Sequence, residues 1–485
     1  MVLINSGHDM RYGTENICRV FFPNETVKTE GDDRKTVFTS AKETESGTLL
    51  HVSADIDGTH AERDGFAEND AEYFKGECEK TLERLIYSCL SEITGYVPPW
   101  GILTGVRPSK LMTSCIEKYG GDGAKKYFTE KLFVSEKKTK LAFDVAKREK
   151  TITSLSRPDS FSLYIAIPFC PSRCSYCSFV SHSITGDNAK KLIPDYVRLL
   201  KDEIKMTGET AKELKLKLES VYIGGGTPTS LSASEIDEIL CETEKSFDLS
   251  LCREFTVEAG RPDTVTDEKL KALKTHGVTR ISINPQTTDD DVLERIGRKH
   301  TNAQTESAFY AARKLGFDNI NTDVIAGLDG DTPEGFKRTL DRLCFLSPES
   351  ITVHTLALKR SSTMVSVDNA ESKGGEKVEK MLDFAQEKLN GSGYFPYYMY
   401  RQSRCIGNFE NVGWSKDGYE CLYNVFMMEE CHTVLSCGAG AVTKLRRPSD
   451  GYIERIFNFK YPYEYTGRFG EICERKKRIA EFYGG

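Results

Sequence analysis

Residues 164–179 read YIAIPFCPSRCSYCSF, and this stretch decides the fold. The apolar run Leu163–Ile167 predicts a short buried strand. The loop that follows it carries Cys170, Cys174 and Cys177 in a C-x3-C-x2-C pattern. Three thiolates on one short loop can each hold one iron of a cubane iron–sulfur cluster, which leaves the fourth iron open to bind a reactant.

A structural zinc site is the alternative interpretation of the same cysteines. His182 lies five residues after Cys177, so a Cys3His set is available, and zinc closes such a set into a tetrahedron. A zinc site would need only these four side chains, and it would leave unexplained the polar residues that follow the later predicted strands and are described below. Those residues therefore favour the cluster.

Short apolar strands alternate with helical segments from about residue 160 onward. The predicted strands are Leu163–Ile167, Ser220–Ile223, Glu254–Val257, Arg280–Ile283, Asn319–Ile325 and Ser350–Thr355. Helical segments such as Ala189–Thr207 and Ser234–Ser246 fill the gaps. Six strand–helix units in series predict an α/β fold with a parallel sheet, here a partial (β/α)6 barrel. In such barrels the chemistry lies at the carboxyl ends of the strands.

Two further domains are predicted around this barrel, which spans residues 151–365. Residues 1–150 predict an α+β accessory domain, with strand-like runs at Cys18–Phe22 and Leu49–Val52 and a helix from about Asp70 to Leu90. Residues 366–485 predict a mixed α/β domain that covers the substrate, with a helix over 375–390 and a tight turn at Gly438–Ala441.

Composition excludes several classes of protein. Lysine and arginine total 66 against 73 acidic residues, a net charge of −7, which lacks the basic footprint of a nucleic-acid-binding protein. The sequence contains no run of ~18 apolar residues, so no membrane span is predicted. Met1–Arg11 lacks the apolar core of a secretory signal. The 15 cysteines are odd in number and scattered, which suits free thiols in a reducing cytoplasm.

Polar residues and glycines follow successive predicted strands. These are Gly224-Gly225-Gly226-Thr227-Pro228 after the second strand, Glu258 after the third, Gln286 after the fourth with Arg298 twelve residues later, and Asp323 inside the fifth. Glycines let a backbone approach a ligand closely, and an arginine fork suits a carboxylate. A buried acid such as Asp323 is costly without a partner. Each feature alone also fits a turn, a surface charge or a cap.

The cysteine stretch resembles the radical S-adenosylmethionine (SAM) superfamily. The pattern Tyr-Ile-x-Ile-Pro-Phe-Cys from Tyr164 resembles the oxygen-independent coproporphyrinogen III oxidase family, over about residues 160–470. The segment Pro99–Pro108 looks like the N-terminal region of its HemZ-type coproporphyrinogen dehydrogenase subgroup, which extends the resemblance over most of the chain.

This resemblance implies a [4Fe–4S] cluster on the three cysteines and one or two molecules of SAM. It also implies a set of residues that contact SAM, in which Tyr164 is in addition a catalytic residue. The set comprises Tyr164, Tyr176, Gly225, Gly226, Thr227, Glu258, Gln286, Arg298, Asp323, Ala357 and Val442.

The activity implied by the resemblance is that of a radical SAM oxidoreductase in anaerobic haem biosynthesis. In that activity each of two propionates of coproporphyrinogen III loses a hydrogen atom, CO2 and an electron and becomes a vinyl group, giving protoporphyrinogen IX. A reductase, ferredoxin or flavodoxin supplies the electron that splits SAM. Such a tetracarboxylate calls for basic groups. The candidates are Arg401, Arg404, Arg446 and Arg447.

Two positions depart from the best-studied branch of the family. Ala166 stands where that branch has histidine, and Phe179 stands where it has an additional cysteine. Haem-trafficking relatives carry an aromatic residue at the second position. A haem-binding chaperone and another tetrapyrrole-modifying enzyme, such as a haem-opening methyltransferase, therefore remain as alternatives.

Overall fold

The computed structural model describes residues 1–68, 74–177, 179, 181–357, 373–402 and 405–484. The chain forms two compact units. The first comprises Met1–Ala146, Val367–Glu379 and Met399–Glu410. The second comprises Lys147–Ser366, Lys380–Tyr398 and Asn411–Gly485. The division into three domains at residues 150 and 365 stays a prediction.

The strands and helices of the described residues follow in chain order. The strands are β1 Val2–Ser6, β2 Lys35–Glu43, β3 Gly47–Ile56, β4 Thr59–Glu68, β5 Ser160–Ile167, β6 Phe169–Cys170, β7 His182–Ser183, β8 Lys217–Gly225, β9 Glu254–Glu258, β10 Arg280–Ser282, β11 Ile320–Ala326, β12 Ser350–Thr355, β13 Phe395–Arg401, β14 Glu410–Ser415, β15 Thr433–Cys437, β16 Val442–Arg446 and β17 Ile453–Phe457. The helices are α1 Arg11–Phe21, α2 Phe74–Thr94, α3 Pro108–Lys126, α4 Glu136–Thr153, α5 Asp187–Glu213, α6 Ala233–Ser246, α7 Asp267–Thr275, α8 Asp290–Arg295, α9 Asn302–Lys314, α10 Pro333–Leu346, α11 Lys373–Gly391, α12 Leu422–Glu429, α13 Pro462–Gly467 and α14 Phe469–Gly484. None of the helices that the structure describes combines the length and apolarity needed to cross a membrane.

The first unit contains a four-stranded sheet in the order β1-β2-β3-β4, with helix α2 packed against β3 and β4 and helix α1 packed against α2. Strand β1 is parallel to β2, and the other pairs are antiparallel. This arrangement is the predicted α+β fold. The predicted helix from Asp70 to Leu90 corresponds to α2, but its start lies outside the described residues.

The strand predicted at Cys18–Phe22 is wrong, because these residues belong to helix α1 and its C-terminal cap. The run of β-branched and aromatic residues has strand propensity, but contact with α2 overrides it. Ile17 and Cys18 are fully buried. A Cβ atom at Gly13 would lie 2.4 Å from Glu83 Oε1 of α2, so glycine permits the close approach of the two helices.

The second unit is built on a large parallel sheet. Its central order is β12-β11-β10-β9-β8-β5-β15, and all of these neighbours are parallel. The first six are the predicted strands, which confirms the α/β class. Strand β15 is a seventh parallel strand that the sequence did not predict. Beyond it β16 and β17 are antiparallel, and β14 adds antiparallel to β12 at the other end.

A buried ion pair links the C-terminal helix of this unit to helix α5. Glu203 of α5 lies 3.0 Å from Lys476 of α14, and both side chains are almost completely buried. The carboxylate of Glu203 also accepts hydrogen bonds from the Gly438 N–H at 2.7 Å, Asn458 Nδ2 at 2.8 Å and the Tyr465 hydroxyl at 2.7 Å. This network fixes the predicted tight turn between β15 and β16.

Candidate active site

The three predicted cluster cysteines lie on one loop at the carboxyl end of β5. Strand β6 ends at Cys170 and pairs with β7, which closes the loop on itself. Burial, together with the nearby Cys174 and Cys170, raises the pKa of Cys177. The thiols are therefore close enough to act on one another electrostatically.

The zinc alternative needs His182 as a fourth ligand beside the three thiols, because structural zinc is four-coordinate. His182 has its ring edge-on to Tyr461 and Tyr463, at centroid distances of 6.3 and 5.9 Å. A cubane whose fourth iron stays open needs no fourth protein ligand. The three thiols alone therefore suffice for a cluster.

The glycine-rich end of β8 lies directly against the cysteine loop. The N–H of Gly226 donates to Ile167 O and that of Thr227 donates to Phe169 O, both at 2.7 Å. A Cβ atom at Gly226 would lie 2.6 Å from Phe169 O, so no side chain fits there. Thr227 Oγ1 lies 3.5 Å from Cys170 Sγ. The glycine run therefore permits the close packing of this loop.

Two buried arginines adjoin the cysteine loop. Arg298 donates through Nε to the Tyr176 hydroxyl at 3.3 Å and through a terminal nitrogen to Asn284 O at 2.6 Å. Arg261 has a terminal nitrogen 3.7 Å from Cys174 Sγ. Sequence reasoning missed Arg261, although it follows β9 only three residues after Glu258. Buried positive charge stabilises anionic thiolates, so the surroundings of the cysteines fit an anionic iron–sulfur cluster.

Gln286 has a strained backbone and an unsatisfied side chain. Its φ is +70°, in the left-handed region that is uncommon for residues other than glycine. Its N–H donates to Asp323 O at 2.9 Å and its carbonyl accepts from the Ile325 N–H at 3.1 Å, which holds the strained backbone against β11. The side-chain Oε1 is buried and has no hydrogen-bond partner among the described residues. An orphaned acceptor in a strained position is typical of a ligand contact.

Glu258 and Asp323 are neighbouring carboxyl groups whose pKa values are shifted in opposite directions. Burial raises the pKa of Glu258 to about 7, although the Tyr222 hydroxyl donates to its Oε1 at 2.6 Å. Burial would also raise the pKa of Asp323, but His354 at 3.7 Å and Asn321 at 2.8 Å lower it overall. Asp323 is therefore ionised at neutral pH, whereas Glu258 keeps its proton to a much higher pH than an exposed glutamate.

A stack of three tyrosine rings stands beside this pair. Tyr164 of β5 is 5.9 Å from Tyr423 and 6.3 Å from Tyr222, and the ring centroids of Tyr222 and Tyr423 are 4.6 Å apart. Tyr423 lies in α12, whose N-terminus is held by Glu254, which accepts from the Leu422 N–H at 2.7 Å. No local sequence signal identifies Tyr423, because it lies about 200 residues after Tyr222 in the chain and joins the stack only through the fold.

Two predicted SAM residues lie at the margins of this arrangement. Ala357 follows β12 and is the last described residue before the gap at 358–372. Val442 begins β16 directly after the tight turn. That turn lies against the end of β5, where a Cβ atom at Gly438 would be 2.6 Å from Ala166 O.

Two of the four predicted substrate arginines, Arg446 and Arg447, lie away from this site. Arg446 ends β16, and its N–H donates at 3.0 Å to Thr433, the first residue of β15. Because β15 is parallel to β5, Arg446 and the adjacent Arg447 lie at the amino edge of the sheet, opposite the cysteine loop. Arg447 pairs there with Asp450 at 3.0 Å.

The other two arginines stay predictions as substrate contacts. Arg401 is buried in the first unit and donates to the carbonyls of Leu103, Gly105 and Asn408, so its guanidinium stabilises local backbone. Arg404 lies outside the described residues.

Comparison with known proteins places this geometry in a family. Residues 164–343 match the radical SAM superfamily model. The chain is 35% identical over 481 residues to the oxygen-independent coproporphyrinogen-III oxidase-like protein HemZ of Bacillus subtilis, covering 96% of this chain and 95% of that protein. The chain belongs to the coproporphyrinogen III oxidase, HemZ and HemW family of radical SAM proteins. The cofactors of this radical SAM protein are therefore a [4Fe–4S] cluster and SAM.

Other members of the family match shorter stretches of this radical SAM protein. The heme chaperone HemW of Bacillus subtilis is 32% identical over 354 residues, covering 67% of this chain and 87% of that protein. A solved structure of the coproporphyrinogen III oxidase HemN of Escherichia coli aligns with a TM-score of 0.49 and 21% identity, covering 67% of this chain and 72% of that chain.

Proposed function

We propose that this protein converts two propionate groups of coproporphyrinogen III to vinyl groups by radical SAM oxidative decarboxylation, giving protoporphyrinogen IX. The observation that carries the proposal is the similarity to HemZ, which covers 96% of this chain and therefore extends well beyond the radical SAM match at residues 164–343. A resemblance confined to the cysteine loop would leave the substrate open among all radical SAM proteins.

The described residues support this chemistry at the carboxyl edge of the sheet. We assign Cys170, Cys174 and Cys177 as the ligands of the cluster, and Thr227 and Arg261 as groups that stabilise their charge. When bound there, the cluster and SAM would supply the radical chemistry that removes a hydrogen atom from the substrate.

SAM contacts are assigned to polar atoms that the fold leaves available. Asp323 is ionised and Gln286 presents a free carbonyl oxygen, so both can accept hydrogen bonds from a ligand. Arg298, held beside Tyr176, supplies fixed positive charge. We also assign Ala357, which follows β12, and Val442, which begins β16, as SAM contacts. The stacked Tyr164, Tyr222 and Tyr423 give an apolar wall that excludes water from a reactive intermediate.

Anaerobic turnover tests the proposal. The reconstituted protein is supplied with SAM, a reductant and coproporphyrinogen III, and 5′-deoxyadenosine and porphyrin products are followed by mass spectrometry. We expect loss of two CO2 per substrate, absent in Cys174→Ala and retained in Cys344→Ala, whose thiol lies on α10. Formation of 5′-deoxyadenosine with no decarboxylated product would exclude coproporphyrinogen III as the substrate.

A haem-carrier function is the second candidate, and one residue favours it. Phe179, two residues after the last cysteine, is 66% exposed. An exposed aromatic ring at this place can stack on a flat tetrapyrrole. Haem titration of Phe179→Ala, with the equally exposed Phe345→Ala on α10 as control, tests this function. Tight haem binding weakened only by Phe179→Ala, without substrate turnover, would establish the carrier.

A further inference from the structure

A second cluster of metal-ligand side chains lies in the second unit, on the helices outside the sheet. Helix α6 carries Asp237, Cys241 and Glu244 at spacings of four and three residues, which places them on one face. His276 caps the C-terminus of α7. The chain runs directly from His276 into the amino end of β10, so the cluster lies towards the edge of the sheet opposite the cysteine loop.

Three donor atoms of this cluster converge. His276 Nε2 lies 2.9 Å from Asp237 Oδ1 and 3.9 Å from Cys241 Sγ, and Cys241 Sγ lies 4.0 Å from Asp237 Oδ2. Among the described residues this is the one group of three such donors that all lie within 4.8 Å of one another. We propose that Asp237, Cys241 and His276 form a binding site for a divalent metal ion of the zinc type.

The donor set and its spacing select this class of ion. Imidazole nitrogen and thiolate sulfur suit zinc, whereas magnesium and calcium take oxygen ligands. Tetrahedral zinc with bonds of about 2.0–2.3 Å holds its donors about 3.3–3.6 Å apart, so the observed separations need shifts of only a few tenths of an ångström. One carboxylate and one thiolate also balance the two positive charges of the ion.

Glu244 fixes the imidazole for this role. Its Oε2 lies 3.0 Å from His276 Nδ1, so the Nδ1 proton is held by a carboxylate and Nε2 is directed at the other two donors. A metal-bound histidine regularly donates its second nitrogen to a carboxylate in this way. Asp237 is 54% exposed, which leaves an entry path for the ion and room for water as a fourth ligand.

A simple ion bridge is the alternative, in which a protonated His276 joins Asp237 and Glu244 without any metal. Such a bridge does not use the thiol. Yet Cys241 Sγ stands almost equally far from both of its neighbours, at 3.9 and 4.0 Å. The position of the sulfur therefore favours a shared ion.

Zinc binding to the reconstituted holoprotein tests the proposal, since the iron–sulfur cluster then occupies Cys170, Cys174 and Cys177 and keeps zinc from binding there. Equilibrium dialysis against buffered Zn²⁺ with elemental analysis should give one zinc per chain, and zinc K-edge X-ray absorption should give one Zn–S distance near 2.3 Å. Cys241→Ser should remove that distance, and Glu244→Gln should weaken binding about 10–100-fold. Cys344→Ser, which removes a partly buried thiol elsewhere, should change neither.

Unaltered iron content in each variant establishes that the protein still folds. Zinc retained with an unchanged Zn–S distance in both Cys241→Ser and His276→Gln would overturn the site, as would the absence of stoichiometric zinc in the natural holoprotein. If zinc is absent from the natural holoprotein, Asp237, His276 and Glu244 form a structural ion bridge and no metal site.

Discussion

The hydroxyl of Tyr222 donates to Glu258 Oε1 at 2.6 Å, inside a site whose burial raises the pKa of that carboxyl to about 7. The folded protein therefore retains a proton on Glu258 that the unfolded chain releases near its ordinary pKa of 4.5. The stabilising contribution of this proton is complete below about pH 4.5 and is lost as the pH rises through about 7.

Glu258→Gln should remove this pH dependence, because the amide has no proton to lose. The free energy of unfolding of the SAM-free variant, taken relative to that of the natural protein, should therefore be larger at pH 8 than at pH 4.5. The upper limit of this increase is roughly 3 kcal/mol, from 1.36 kcal/mol for each pKa unit. Urea unfolding at both pH values measures the gain. Tyr222→Phe is the companion variant, since it deletes a hydrogen bond that lowers the pKa of Glu258 and should extend the pH dependence upward. An identical free-energy difference at the two pH values would contradict the raised pKa.

Gln286 allows backbone strain and ligand contact to be separated. Because its φ is +70°, Gln286→Gly should relieve strain that Gln286→Ala retains. We expect the glycine variant to be about 1–2 kcal/mol more stable than the alanine variant. Both variants lack the buried carbonyl oxygen, so both should bind SAM more weakly, as measured by equilibrium dialysis with the reconstituted protein. Full SAM affinity in either variant would remove Gln286 from the proposed contacts.

The parallel sheet was predictable because its signals are local. Six strands were identified from short apolar runs, and the polar residues that follow them converge because parallel strands end at one edge. Glu258, Gln286 and Asp323 could be placed at that edge for this reason. Their assignment to SAM, and that of Arg298, came from the family resemblance.

Features that depend on distant contacts were not predictable. Strand β15 joins β5 although about 270 residues separate them, and Tyr423 reaches the tyrosine stack only through that long-range folding. Cys18–Phe22 has strand propensity, but in the fold it continues helix α1, which packs against α2. Arg446 and Arg447 have the charge that a carboxylate substrate needs, but β16 runs antiparallel to β15. They therefore lie at the amino edge of the sheet, away from the cysteine loop.

Gly226 should be essential for the cysteine loop. A Cβ atom there would meet Phe169 O at 2.6 Å and Ile167 O at 2.9 Å, and these are backbone atoms that cannot turn away. Gly226→Ala should therefore displace the loop and lower the iron bound per chain after reconstitution. Gly470→Ala is the matched control, because nothing lies within 4 Å of its added methyl group and alanine favours a helix. Equal iron content in the two variants would show that the loop tolerates the clash.

Lys476 should contribute strongly to stability although it lies far from the chemistry. Its ammonium is the only cation that the structure pairs with the carboxylate of Glu203, among the residues described. Lys476→Met leaves that buried charge without its partner, which typically costs about 3–5 kcal/mol.

Two further variants separate charge from packing at Lys476. Lys477→Met changes an exposed neighbour on the same helix and should stay within about 0.5 kcal/mol of the natural protein. Adding Glu203→Gln to Lys476→Met removes the unpaired charge, so the double variant should lose less stability than Lys476→Met alone. Urea unfolding followed by circular dichroism measures all three. If the double variant instead loses at least as much as the single one, the contribution of Lys476 comes from its packing and not from its charge.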